Sequence, residues 1–366
     1  MAEPKSAATP PANSRANVRA WAGWLIAGAL IGTIVSVVLV RSWNNQPTST
    51  PTKRPVNQPI EEQIITVPAP LTGRPVPVDV PSRRAWAVVV ENFPSVRPQS
   101  GLAFADLVFE APTEGGITRM LAFFQSQLPP SNIGPIRSAR PYFNDWASTF
   151  RAFFSHSGGT SEALQQLKGG YGELTDINEF YNGDAYERLD DRKAPHNLFT
   201  SAERFWNYLI ARDLPRTSNV PSLAFRTPSS PGTAALGVTV PYYPTEYRVR
   251  YDWRQQDQSY LRAVGGNTQY DATTQLPLRV TNAIIMVTDI TPIPKDPLLK
   301  VNLRTLGTGT AILFSRGERY DGTWSKADLA SPLTFTGSDG QPLPLAPGNT
   351  WVSVIDQGLL KSLVVE

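Results

Sequence analysis

The sequence has no cysteine. That excludes disulfides, cysteine-ligated zinc, iron–sulfur clusters and thiol catalysis. Histidine is nearly absent as well, with only His156 and His196. They stand 40 residues apart, which matches no recognised metal-ligand spacing, so no metal and no cofactor are expected. Charge of one sign is not concentrated anywhere: 34 Lys and Arg are scattered among 31 Asp and Glu, for a net charge of +3. Without a basic tract, nucleic acid is not an expected partner. Long apolar runs are missing too, except for one near the start of the chain.

What is present is enough apolar and aromatic mass for a core, with 9 Trp, 12 Tyr and 15 Phe in 366 residues. The length suits about two domains. Residues 1–20 read as a disordered tail. Residues 21–40 carry no charge and, as a helix, would measure about 30 Å, the thickness of a bilayer core. Trp21, Trp24 and Trp43 sit near the ends, as interfacial anchors do. This segment is expected to be a single transmembrane anchor, making the membrane one partner. The balance of Lys5, Arg15 and Arg19 against Arg41, Lys53 and Arg54 leans towards the bulk of the chain facing outward. Residues 41–83 are proline-dense and read as an extended linker without a core of its own.

From residue 84 strand and helix signals mix. Residues 85–91, 106–111, 117–125 and 152–157 read as strands. Pro141 opens a helix, residues 162–168 form a short one, and Thr200 to Glu203 reads as a capping box before another that runs to about Arg212. Beyond about residue 215 Pro, Gly, Thr and Ser rise. The strand candidates there are residues 246–252, 259–264, 283–288, 308–315, 323–326 and 350–355, with Asp321-Gly322 and Asp339-Gly340 as hairpin turns. The fold class is α/β (α+β): a layered mixed-sheet N-terminal domain with helices at 84–228, then a mostly β C-terminal domain at 229–366.

The most distinctive stretch is residues 134–141, Gly-Pro-Ile-Arg-Ser-Ala-Arg-Pro. It places Arg137 and Arg140 three apart, just ahead of a helix whose free N–H groups carry partial positive charge. With Arg119 they form a candidate site for a carboxylate or phosphate, helped by residues 158–160 at the next helix start. The alternative is that these arginines pair with the chain's own Glu91, Glu110 or Glu114. Other polar residues at strand ends and loops are Asn92, Ser138, His156, His196 and Asn197, and such positions often carry sites in α/β folds. Acid–base hydrolysis by Glu91, Glu110 or Glu114 with a histidine is a second chemistry. A serine nucleophile among Ser155, Ser157 and Ser161 lacks the Gly-x-Ser-x-Gly elbow. Trp324 and Trp351 read as core residues on strands.

Several stretches recur together: Glu91-Asn92, Arg97 to Leu102, Ala105-Asp106, Glu114 to Arg119, Gly134 to Pro141, and Ala194 to Thr200. The C-terminal half adds Gly307 to Gly309, Gly322 to Lys326 and Pro347 to Val352. In this order, over nearly all of residues 84–366, the pattern resembles the YerB-like family of bacterial lipoproteins, a two-part family without an assigned activity. The resemblance implies an envelope-facing protein. Those lipoproteins carry a lipidated cysteine that this chain lacks, so residues 21–40 are expected to serve as anchor. The expected role is binding an anionic small molecule, a cell-wall component or an envelope protein partner through Arg119, Arg137, Ser138, Arg140, Glu91, Asn92, Glu114, His156, His196 and Asn197. A cell-wall polymer hydrolase and a non-catalytic scaffold are the alternatives.

Overall fold

A computed structural model describes residues 65–366. The expected tail and anchor, and the first part of the linker, lie outside the described residues. Among the described residues no helix is long and apolar enough to cross a membrane.

The fold is built on an eleven-stranded sheet. Its strands, in chain order, are β1 (Trp86–Glu91), β2 (Leu107–Pro112), β3 (Thr118–Phe124), β4 (Phe153–His156), β5 (Thr175–Asn178), β6 (Thr233–Ala234), β7 (Asn282–Thr288), β8 (Gly307–Ser315), β9 (Glu318–Lys326), β10 (Thr334–Gly337) and β11 (Thr350–Asp356). Across the sheet they run β6-β9-β8-β7-β11-β2-β3-β1-β4-β5, with β10 on β9. The join between the two halves of the sequence is β11 against β2, a parallel pair with Trp351 opposite Val108. One sheet therefore passes through both halves, and residues 64–366 form one compact unit. β1, β7 and β11 are buried almost throughout, which is why they read as continuous apolar runs rather than alternating ones.

Alternate residues of the sheet face two cores. On one side Ala87, Val89, Phe109 and Phe123 pack under α1 (Pro141–Thr149) and α2 (Ser161–Leu167). Trp146 of α1 stacks on Phe109 at 4.5 Å between ring centroids. On the other side Val88, Val108, Ala122 and Trp351 meet α3 (Ala202–Ala211) and a second, six-stranded antiparallel sheet that includes Gly237–Val240, Val249–Arg254 and Ser259–Val264. The layers are helix, sheet, then helix plus sheet: a mixed α+β arrangement, as expected.

Some local expectations are corrected. The last part of the proline-dense linker is folded: Thr66–Pro68 pairs with Pro75–Pro77, and Ala69, Leu71, Val76 and Val80 are buried. Proline fixes an extended backbone but does not stop the apolar residues between prolines from packing. Asp321-Gly322 lies inside β9 rather than in a turn, because β9 continues past it to pair with β10; a Cβ on Gly322 would sit 2.2 Å from the Thr336 carbonyl. α3 is capped by Ser201, whose hydroxyl accepts from Arg204 N at 3.3 Å. Thr200 instead donates to the Ala185 carbonyl.

Candidate functional site

β1, β2, β4, β5, β7 and β11 all run the same way. Their C-terminal ends, and the loops that follow, gather at one edge of the sheet, the usual place for a site in an open α/β fold. Residues 136–139 are wedged into this edge. Arg137 N donates to Val89 O of β1 at 3.0 Å, and Ser157 N after β4 donates to Arg137 O at 3.0 Å. The wedge parts β1 from β4 where Glu91 and His156 end them, and it delivers Arg137, Ser138 and Arg140 there.

Two ion clusters result. In the first, the buried Glu91 carboxylate meets Arg137 Nε at 3.0 Å, and His196 Nδ1 lies 3.0 Å from both of its oxygens. A carboxylate can only accept, so the ring proton sits on Nδ1. His196 Nε2 then has no protein partner among the described residues, and the side chain is 30 % exposed. Phe93 stacks on this ring at 5.7 Å and is itself 40 % exposed. Arg137 keeps 24 % of its side chain exposed, and its remaining contact is a long one, Nη1 to Pro195 O at 3.4 Å.

In the second cluster Glu114 takes Arg140 directly and Arg119 at 3.6 Å. Arg119 Nη1 donates to Ser138 O at 2.9 Å, and Arg140 Nη1 to Ala139 O at 2.6 Å. Burial, and then the neighbouring Arg140, pulls Arg119 down to about 10. Burial pushes Glu114 up, but Arg119 and Arg140 outweigh it and hold the carboxyl below its ordinary value. A depressed carboxyl stabilises the fold above its unfolded pKa of 4.5 and loses that contribution as pH falls through the lower folded value. The stability gap between the parent and Glu114→Gln, read from urea midpoints, is therefore expected to close progressively as pH falls below 4.5.

Other expected site residues have structural partners. His156 is fully buried, with Nδ1 on Gly158 O and Nε2 on Asp176 Oδ1, both at 2.7 Å. Neither nitrogen is left for a ligand. Asn197 Oδ1 accepts from Arg188 at 3.1 Å. Asn92 is buried and belongs to an interior network: its Nδ2 donates to Thr118 Oγ1 at 2.7 Å and Glu110 Oε1 at 3.1 Å. Glu110 is held there by Arg262. Glu91, Glu110 and Glu114 are thus each bound to their own arginines rather than paired with one another, and the paired-carboxylate chemistry has no support in this geometry. Trp324 and Trp351 are core residues.

The sequence reading missed Arg262 and Phe93. For Arg262 a signal existed: Tyr260, Arg262 and Val264 alternate along one strand and all three are buried. The period-2 pattern alone would have aimed Arg262 inward.

Two family models match the chain, both described as protein of unknown function (DUF3048): the N-terminal domain over residues 71–214 and the C-terminal domain over residues 238–352. A Bacillus subtilis protein described as "Putative lipoprotein YerB" is 34% identical over 291 residues, covering 78% of this chain and 86% of that protein. The chain belongs to the YerB-like family. The crystal structure of Bacillus subtilis YerB superposes with a TM-score of 0.73 at 31% identity, spanning 82% of this chain and 99% of that one. The first family match begins inside the folded part of the proline-dense segment, in agreement with the buried Leu71.

Proposed function

We propose that this protein is anchored to the membrane, faces outside the cytoplasm, and binds an anionic ligand or a cell-envelope partner at the edge where Arg137, Glu91 and His196 meet. The observation that carries the reading is the local charge: three guanidiniums, Arg119, Arg137 and Arg140, stand against two carboxylates, Glu91 and Glu114. Arg137 is the most exposed of the three arginines. The His196 ring and the half-exposed Phe93 beside it offer a hydrogen-bonding edge and an apolar wall to the same ligand. Arg119 and Arg140, tied to Glu114 and to backbone carbonyls, set the field and hold the wedge rather than grip the ligand.

The test is Arg137→Gln, which removes the charge and keeps a donor for Glu91. Inorganic phosphate and polygalacturonate, a carboxylated polysaccharide, serve as probes in titration calorimetry at low salt. Binding is expected to fall at least about tenfold in the variant, and to weaken with added salt in the parent. An unchanged affinity, or none for either probe in the parent, would leave the cluster a structural tie.

The description of the Bacillus relative as a lipoprotein supports the extracytoplasmic placement. With no cysteine to carry a lipid, residues 21–40 supply the anchor in this reading. Deleting residues 21–40 is expected to move the protein from the alkaline-washed membrane pellet to the soluble fraction. Retention in the pellet would refute that anchor.

A further inference from the structure

Five aromatic side chains are exposed among the described residues, and four of them, Phe93, Phe180, Tyr181 and Tyr243, stand on loops at the edge that holds Arg137. Phe93 follows β1. Phe180 and Tyr181 follow β5 and are 70 % and 81 % exposed. Tyr243 follows the strand Gly237–Val240 of the second sheet, with its carbonyl against Gly116. Large rings left in water forgo the gain of burial, so four on one edge mark a face that a ligand covers.

A closed chain of polar contacts links Phe93 to Phe180. Phe93 stacks on His196, and His196 shares the Glu91 carboxylate with Arg137. Next to His196, Asn197 Oδ1 accepts from Arg188 Nη1 at 3.1 Å. Arg188 Nη2 donates to Glu179 Oε1 at 3.0 Å, and Ser157 Oγ donates to Glu179 Oε2 at 2.9 Å. Ser157 N closes the frame on Arg137 O. The Phe180 ring lies over Gly158, beside Ser157: a Cβ on that glycine would come within 2.6 Å of it. Arg137 thus touches the Phe93 side of the frame through Glu91 and the Phe180 side through Ser157. Both carboxylates of the frame are taken up by its own donors. Arg137 Nη2 and Arg188 Nε, in contrast, have no hydrogen-bond partner among the described residues. Their side chains are 24 % and 46 % exposed.

A matching ligand is rich in acceptors at its centre and flat and apolar on either side. Exposed guanidinium donors suit a carboxylate, and the aromatic faces suit the C–H face of a sugar ring. A protein partner calls for the reverse order, with apolar anchors in the middle and charge at the rim. A lipid surface is disfavoured by where the chain comes in. Thr72 O accepts from Gly348 N ahead of β11, and Gln125 Nε2, just after β3, donates to Arg83 O. The segment that leads in from residue 65 therefore packs at the opposite edge of the sheet, and a tether entering there favours a ligand on the far side of the folded part. We propose that the ligand of the Arg137 site is a strand of an acidic polysaccharide, with a sugar carboxylate on Arg137 and neighbouring sugar rings on Phe93 and Phe180; the assignment rests on the anion reading of Arg137 and extends it from a charge to a chain.

The test uses the full chain in a detergent without a sugar headgroup, with galacturonate and tetragalacturonate as probes in titration calorimetry at low salt. The tetramer is expected to bind at least about thirtyfold more tightly than the monomer, well above the roughly fourfold that four equivalent acid units give statistically. Phe180→Ala, at an exposed position, should bring the ratio down towards that statistical factor without shifting the melting temperature, and Phe93→Ala should lower it as well. Tetraglutamate, which carries acid groups without sugar rings, should bind at least about tenfold more weakly than tetragalacturonate. A ratio no greater than the statistical factor, or one indifferent to Phe180→Ala, would overturn the proposal. So would tetraglutamate binding as tightly as the sugar, which would point to an acidic protein, or glycerophosphoglycerol doing so, which would point to a lipid headgroup. If phosphate and galacturonate bind in any of these cases, the Arg137 reading stands and only the polysaccharide falls; no binding of any probe to the parent would remove both.

Discussion

Replacing Arg262 with methionine is expected to lower the unfolding free energy by about 3–5 kcal/mol, because it strips the counter-charge from a carboxylate with no access to water. Arg262 and Glu110 are 0% and 1% exposed. They join a strand of the second sheet to β2 and lie in the regions matched by the two different family models. Burial alone would lower Arg262, but Glu110 overrides it and the net shift is upward. A raised arginine is fully charged, with its stabilisation complete, at every pH where the protein would be studied. The guanidinium also lies over Trp351 at 4.5 Å from the ring centroid, an added cation–π contact. Removing Arg262 leaves Glu110 with only the neutral donors Asn92 and Thr118. The double variant Glu110→Leu with Arg262→Met is expected to recover most of the loss, since an apolar pair of similar volume often replaces a buried ion pair at little cost. Urea unfolding at pH 7 checks both. A single-variant loss below about 1 kcal/mol, the level of an exposed surface pair, would show that the network does not depend on this ion pair.

The same residues explain what could be read from the sequence. Ser259–Val264 and Trp86–Glu91 were legible because the pattern of apolar side chains, alternating or continuous, reports burial locally. Thr175–Asn178 was not: its four residues, Thr-Asp-Ile-Asn, are mostly polar, and it is a strand because β4 offers it an edge. The two-part texture of the chain was visible, but the parallel pairing of β2 with β11 joins residues some 240 apart in sequence, and nothing in either strand names the other. At the site, the residue types were legible and their partners were not. Arg137 and Arg140 stand three apart, yet one goes to Glu91 and the other to Glu114. That division is decided by the wedge of residues 136–139 between β1 and β4, a tertiary feature. His156 and His196 looked equivalent as lone histidines. Burial with two acceptors closes the first, and exposure on one edge opens the second.

The turn at Glu114-Gly115-Gly116 offers a test of how closely the loops at this edge are fitted. Both glycines have left-handed backbones, with φ of +59° and +78°, where any other residue pays about 1–2 kcal/mol. Their surroundings differ. A Cβ on Gly115 would meet nothing within 4 Å, whereas one on Gly116 would lie 2.2 Å from the Tyr243 carbonyl oxygen. That obstacle is backbone and cannot rotate aside. Its neighbours are held as well: Tyr242 donates its hydroxyl to Glu110 O at 2.9 Å, and Arg97 donates to Glu246 O at 2.8 Å. Gly115→Ala should therefore cost only the conformational term, about 1–2 kcal/mol. Gly116→Ala should add the overpacking of a braced loop, about 1–3 kcal/mol more, for a total of about 2–5 kcal/mol. Because Glu114 is part of the same turn, the displacement should also loosen its hold on Arg119 and Arg140, so the Gly116 variant should lose part of the pH dependence assigned to Glu114 while the Gly115 variant keeps it. Urea titrations of both variants at about pH 4 and pH 7 measure the two effects together. Equal costs for the two glycines would mean that the left-handed backbone, and not the approach of the Tyr243 carbonyl, is what the turn requires.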